Sequence, residues 1–299
     1  MSRITLKHLK YIDALDQHGH FGKAAAACFV SQPALSQQIK ELEAIVDAPL
    51  VDRTSRQIQL TAQGREMADR ARSVLLAVDE LEDAVRASRD ELTGTFRLGI
   101  IPTVAPYTLP RFVRAINERF PAVDIRPREA TTSLLLADLM NNALDAAILA
   151  LPVEQGTYEA VPLFEEPFVL VRPMGDAGQP VPNPAQLSQM RLLLLEEGHC
   201  FRDQALAFCE LDGARPTVRM EGSSLSTLVQ MVGANLGVTL IPRTAIPMET
   251  RGAEVCVDQF PEPAPVRQIG LVWRGGNPLS SHYRDVGETL EALKLGRSR

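Results

Sequence analysis

Over the first sixty positions, apolar residues recur at helical spacing and are punctuated by turn residues. Leu6, Leu9, Ile12 and Leu15 form one face of a helix that Gly19 ends. Lys23–Cys28 is alanine-rich and helical, and Phe29-Val30 make a turn. Ser31 is a good N-cap for a third helix running to about Val46. Pro33 is tolerated in its first turn, where backbone N–H groups have no helical partner anyway. Ile39, Leu42, Ile45 and Val46 form the apolar stripe of that helix, which leaves Gln32, Ser36, Gln37 and Lys40 facing outward. The segment Asp52–Leu60 reads as a small basic wing.

Residues 62–92 hold no proline and a single glycine, at the start. Val74, Val78, Leu81, Val85 and Leu92 follow a four-three spacing, with Ser88 breaking the row, as in a short coiled-coil seam. An amphipathic helix packed on its own domain would show the same pattern. From Thr93-Gly94 onward the pattern changes to alternating strand and helix. Phe96–Ile101 is a strand, a helix follows to Phe120, Ile125-Arg126 begin a strand, Ser133–Met140 is a helix and Ala146–Leu151 a strand. The sequence restarts with Leu192–Leu195, a helix near Cys200–Glu210, Thr217–Glu221, a helix at Leu225–Ala234, and Val238–Ile241. It returns through Gln268–Arg274 and a last helix. Such alternation predicts a parallel α/β sheet.

Charge sharpens this division. The chain of 299 residues carries a net −6, yet residues 1–65 hold eight Lys/Arg against six Asp/Glu. A weakly basic head on an acidic body fits a small DNA-reading module. Arg3, Lys7, Lys10 and Asp13 interrupt the N-terminus before any signal peptide could form. The longest uncharged run, Gly222–Pro242, is too rich in Ser, Thr, Asn and Gly for a membrane span. A cytoplasmic protein with no membrane association is expected. Four cysteines do not suggest a secreted disulfide scaffold, so any disulfide here would be transient.

Two helices, a tight turn and an N-capped third helix with polar first turns describe a helix-turn-helix. Ser31, Gln32, Pro33, Ser36, Gln37 and Lys40 would lie against DNA: Gln reads adenine edges, while Ser and Lys hold phosphates or bases. Arg53, Thr54 and Arg56 of the wing are placed for phosphate contact. On an isolated helix these polar residues would be no more than a solvated face. However, Phe21-x-x-Ala24-Ala25, Val30-Ser31-Gln32-Pro33-Ala34-Leu35-Ser36, Ile39, Leu42-Glu43, Leu50-Val51, Arg53-Thr54 and Thr61-x-x-Gly64 together resemble the LysR-type winged helix-turn-helix. The resemblance implies three parts: an all-α winged helix-turn-helix over residues 1–61, a linker and dimerisation helix over 62–92, and a two-lobed α/β effector domain over 93–299. That last domain would resemble periplasmic binding proteins, with strands crossing between the lobes. It further implies a double-stranded DNA operator, contact with RNA polymerase, and homodimers that assemble into a homotetramer.

Two of the four cysteines stand in an informative context, Gly198-His199-Cys200-Phe201-Arg202-Asp203-Gln204 followed by Phe208-Cys209. Cys28 and Cys256 read as structural. The positive end of a helix and the cation Arg202 would both favour a reactive sulfur at Cys200. If residues 200–209 form one helix, the two cysteines are separated by a rise of roughly 13 Å. A disulfide needs Cα atoms within about 7 Å, so bonding them requires unwinding. Two cysteines on a helix are more ordinarily inert core residues. A zinc site is disfavoured because only His199 accompanies them and no CxxC pair is present. No metal and no cofactor are called for.

The cysteine segment, together with Gly99-Ile100-Ile101-Pro102-Thr103-Val104-Ala105-Pro106-Tyr107 and Ile269-Gly270-Leu271-Val272, is similar to the peroxide-sensing branch of the LysR family. The resemblance implies that Cys200 attacks hydrogen peroxide and Cys209 resolves the product. Thr103 and His199 would line the peroxide pocket, with Arg202 and Asp203 supporting it. In one respect the chain departs from some relatives, since Arg219 stands where they carry a histidine. Two other readings compete: a regulator that binds a small metabolite between its lobes, and a thiol peroxidase enzyme. The helix-turn-helix argues against the enzyme.

Overall fold

The protein is described from a computed structural model covering residues 4–52, 59–88, 91–153, 157–209, 218–262 and 264–295. The chain divides into two compact units, Met1–Val85 and Arg86–Arg299.

The first unit packs α1 (Leu6–His18), α2 (Phe21–Ala27) and α3 (Gln32–Val46) around Ile12, Leu15, Ala24, Leu35, Ile39 and Leu42. Gly19 takes a left-handed φ of 57° at the end of α1, where its lack of Cβ removes the strain. His20 caps α2 through Nδ1, which accepts the Gly22 N–H at 2.9 Å, so that helix begins at Phe21, before the expected Lys23. Short strands β1 (Val51–Asp52) and β2 (Gln59–Leu60) pair antiparallel as the base of the wing. The wing residues Arg53, Thr54 and Arg56 lie outside the described residues.

α4 (Ala62–Ala87) begins on this unit, where Ala68 and Ala71 enter the core and Arg72 pairs with Asp13 and Asp16 of α1. Further along, Val74, Leu81 and Val85 are exposed, an apolar row along the helix. Leu92, expected on the same seam, does not belong to it. The helix has ended by then, and Leu92 is buried in the core of the second unit.

The second unit has two lobes. In the first, β3 (Gly94–Ile100) lies between β4 (Val123–Glu129) and β5 (Ala146–Leu151), both parallel to it. The unbroken apolar run of β5 suits a strand covered on both faces. Helices α5 (Ala105–Arg119) and α6 (Thr132–Met140) connect these strands. The long β6 (Tyr158–Pro173) leaves this sheet and continues into the second lobe. There follow α7 (Pro184–Gln189), β7 (Leu192–Leu195), α8 (Cys200–Cys209), β8 (Val218–Gly222), α9 (Leu225–Gly233), β9 (Thr239–Pro242), α10 (Ile246–Glu249) and β10 (Val255–Gln259). β7 and β8 pair in parallel, whereas β9 and β10 flank the far half of β6. β11 (Val266–Arg274) then returns, antiparallel to β6 and β5, and α11 (Ser280–Glu291) closes on the first lobe. Each lobe therefore has its own apolar core, and the crossing strands β6 and β11 join the two.

Candidate functional site

In the first unit, Ser31 Oγ accepts the Ala34 N–H and fixes the start of α3. Leu35, Ile39 and Leu42 are fully buried on its inner face. Ser31, Gln32, Pro33, Gln37 and Lys40 are exposed and Ser36 is half-buried, so all six share access to an outer surface. The wing is anchored to this helix by a carboxylate: Glu43 Oε1 accepts the N–H groups of Leu50 at 2.9 Å and Val51 at 3.2 Å. Thr61 donates to the Pro49 carbonyl and accepts the Gly64 N–H. A Cβ at Gly64 would lie 2.0 Å from the Leu50 carbonyl oxygen, so no other residue fits there. These anchoring roles of Glu43, Thr61 and Gly64 were not apparent from periodicity.

In the second unit, Cys200 is the first residue of α8 and packs against the first-lobe core. A tight crevice lies beside it. Its walls are Ile101, Pro102 and Thr103 after β3, Thr131 and Thr132 at the start of α6, and His199, Cys200 and Phe201. Thr103, His199 and Cys200 are thus brought together. The starts of two helices meet this space, and their unpaired N–H groups favour negative charge developing inside it.

Thr103 is held by a fully buried ion pair that sequence reasoning missed. Arg267 Nη1 donates to Thr103 Oγ1 at 2.8 Å and Nη2 to the Thr103 carbonyl at 3.0 Å. The same guanidinium pairs with Glu166 at 2.6 Å, with side chains 0% and 1% exposed. Thr244 also donates to Glu166. The Arg267 guanidinium carbon lies 5.0 Å from the centre of the Phe201 ring, which in turn packs on Phe168. Because Thr103 Oγ1 accepts from Arg267, its own hydrogen is free to donate into the cavity. Thr132 Oγ1 is buried there with no partner among the described residues.

Arg202 and Asp203 do not line this cavity. Arg202 Nη1 donates to the Leu195 carbonyl at 2.8 Å and to Glu221 Oε1 at 2.7 Å, and Asp203 is exposed. The side chains of Cys209 and Arg219 are outside the described set, although Cys209 closes α8. Cys28 sits near the Lys10 carbonyl, and Cys256 on β10 near the Pro173 carbonyl. Burial, followed by the charges of Asp13 and Asp258 respectively, pushes these two thiols up and makes them poorer nucleophiles.

A wider cleft of about 130 Å³ between the lobes shares Pro102, Thr103 and His199 with the inner crevice. Across it Tyr107 of α5 donates to Glu249 of α10 at 2.6 Å, and Ser226 donates to the same carboxylate. Burial and then Glu249 raise the Tyr107 phenol, which keeps its proton for this bond. Among the described residues no group of three or more His, Cys, Asp and Glu is arranged to hold a metal. Nor is any helix among them long and apolar enough to cross a membrane.

Residues 6–65 match the bacterial regulatory helix-turn-helix proteins of the lysR family, and residues 89–294 match the LysR substrate binding domain. The chain belongs to the LysR family. Within it, the chain is 40% identical over 297 residues to the DNA-binding transcriptional dual regulator OxyR of Escherichia coli K12, covering 98% of this chain and 97% of that one. It is 41% identical to a probable hydrogen peroxide-inducible genes activator of Streptomyces viridosporus, covering 97% and 95%. Among solved structures, full-length OxyR of Pseudomonas aeruginosa bearing a Cys-to-Asp change superposes with a TM-score of 0.75 at 30% identity, covering 100% and 99%. A Cys-to-Ser OxyR of Corynebacterium glutamicum with hydrogen peroxide bound gives 0.65 at 32% identity, covering 97% and 92%.

Proposed function

We propose that the protein is a transcription regulator switched by hydrogen peroxide through a reversible Cys200–Cys209 disulfide. The observation that carries this reading is the meeting of Thr103 and His199 with Cys200 at the first residue of α8, the helix that Cys209 closes. Peroxide would sit against the Cys200 sulfur, with the Thr103 hydroxyl donating to one oxygen and His199 and Thr132 alongside. The sulfur attacks one oxygen, the other leaves as water, and the Cys200 sulfenic acid then condenses with Cys209. The ends of α8 are nine residues apart, a rise of about 13 Å against the roughly 7 Å a disulfide allows. Closing the bond therefore unwinds the helix and gives the signal a structural form. Arg202 and Asp203 are assigned to the behaviour of α8 and not to contact with peroxide.

Residues 1–61 would read a double-stranded operator through α3 and the wing, residues 62–92 would pair two copies, and residues 93–299 would sense. The exposed row Val74, Leu81 and Val85 on α4 supports a homodimer, two of which would form the tetramer that contacts RNA polymerase. A cytoplasmic site of action follows from binding DNA. Non-reducing peptide mapping after low peroxide tests the central reading. A Cys200–Cys209 peptide is expected, with Cys28 and Cys256 left as thiols; any other pairing, or none, rejects it.

A further inference from the structure

Both cysteines of the switch lie on α8, so the residues between them leave their helical places when the bond closes. The first turn of that helix is fastened down. Arg202, the third residue of α8, has a side chain only 13% exposed and reaches two acceptors with one nitrogen. One is the carbonyl of Leu195 at the end of β7, and the other is the carboxylate of Glu221 on β8. β7 and β8 are paired beside each other, with Leu195 opposite Gly222, so both acceptors belong to one rigid frame. The Leu195 carbonyl is backbone and fixed. Glu221, 43% exposed, is the partner that a substitution or salt can remove.

We propose that Glu221, acting through Arg202, is a positioning residue that sets how readily the Cys200 sulfenic acid closes to the disulfide. The inference rests on the peroxide reading above and adds a determinant of its second step. In the first step a bond forms between the Cys200 sulfur and one peroxide oxygen, the O–O bond breaks, and water leaves. Arg202 does not line the cavity, so this step proceeds with the ion pair in place. In the second step the Cys209 sulfur attacks the Cys200 sulfur. An S–S bond forms, the S–O bond breaks, and the hydroxyl leaves as water with the thiol proton of Cys209. The pair holds the first turn of α8 on β7 and β8 and opposes the motion that this second step needs.

The test separates the two steps in the full-length protein. Glu221→Gln is treated with hydrogen peroxide, and sulfenic acid (trapped with dimedone) and disulfide are followed against time. Sulfenic acid formation is expected within twofold of the unmodified protein, while closure is about two- to tenfold faster. The thiol–disulfide equilibrium against glutathione moves towards the disulfide by a similar factor, and Glu221→Asp returns both values towards the original. A second measurement needs no variant: raising the salt concentration should speed closure in the unmodified protein and leave Glu221→Gln unaffected. Closure and equilibrium unchanged by Glu221→Gln, or both steps accelerated alike, overturn the proposal. Failure of the unmodified protein to form any Cys200–Cys209 bond overturns the peroxide reading together with it.

Discussion

Replacing Glu166 by Leu would expose the cost of the buried charge that organises the sensing cavity. Arg267 is 0% exposed, and its guanidinium faces Glu166, the Thr103 hydroxyl and the Thr103 carbonyl. Without Glu166 a full positive charge stays buried with only neutral acceptors, and Thr244 loses its carboxylate partner. Breaking such a pair from one side costs about 3–5 kcal/mol. For a domain of this size each kcal/mol lowers the melting temperature by about 2–4 °C, so a fall of roughly 6–20 °C is expected. Adding Arg267→Met should return part of that loss, because removing both charges leaves no isolated ion. Calorimetry on the three proteins measures this directly. If Glu166→Leu melts within 2 °C of the original, or the double variant is less stable than the single, the buried pair does not organise this site.

Thr103→Val removes the cavity donor while keeping shape, and should slow sulfenic acid formation about a hundredfold at nearly unchanged stability, as read by thiol loss under peroxide. An unchanged rate would remove Thr103 from the chemistry. Gln32→Ala and Ser36→Ala should relax operator selectivity, whereas Arg53→Ala should weaken all sequences alike; footprints at matched salt distinguish the two effects. Charged substitutions at Val78 and Leu81 should shift the protein towards monomer, as measured by light scattering at micromolar concentration.

The elements most legible in sequence were those whose signals are local. Ser31 as an N-cap, Gly19 as a C-cap and Ile39 and Leu42 of the expected stripe all act within a few residues, whereas Ile45 and Val46 are only partly buried and Leu35 takes a place on the buried face. The spacing of Cys200 and Cys209 likewise translated into opposite ends of one helix. Arg267 and Glu166 were not legible because they are 101 residues apart and meet Thr103 only when β6, β11 and the end of β3 assemble. A charge within a strand gave no signal of its own, because β6 also carries Glu159, Glu165 and Arg172 and β11 also carries Arg274. The family resemblance places Arg202 in support of the pocket. Two residues along a helix turn the side chain by about 200°, and it faces β7 and β8 instead. Leu92 continued a four-three spacing beyond the true end of α4, where periodicity alone has no way to mark the stop.

In the proposed switch, Cys200 is the one residue through which peroxide reaches DNA. The most direct test is an operator footprint of the full-length protein before and after low peroxide, made in parallel with Cys200→Ser and Cys209→Ser. The unmodified protein should change its footprint and revert on addition of a dithiol. Cys200→Ser should give the reduced footprint under both conditions, and Cys209→Ser should accumulate sulfenic acid without forming the Cys200–Cys209 bond. A peroxide-dependent footprint that persists in Cys200→Ser would contradict the account.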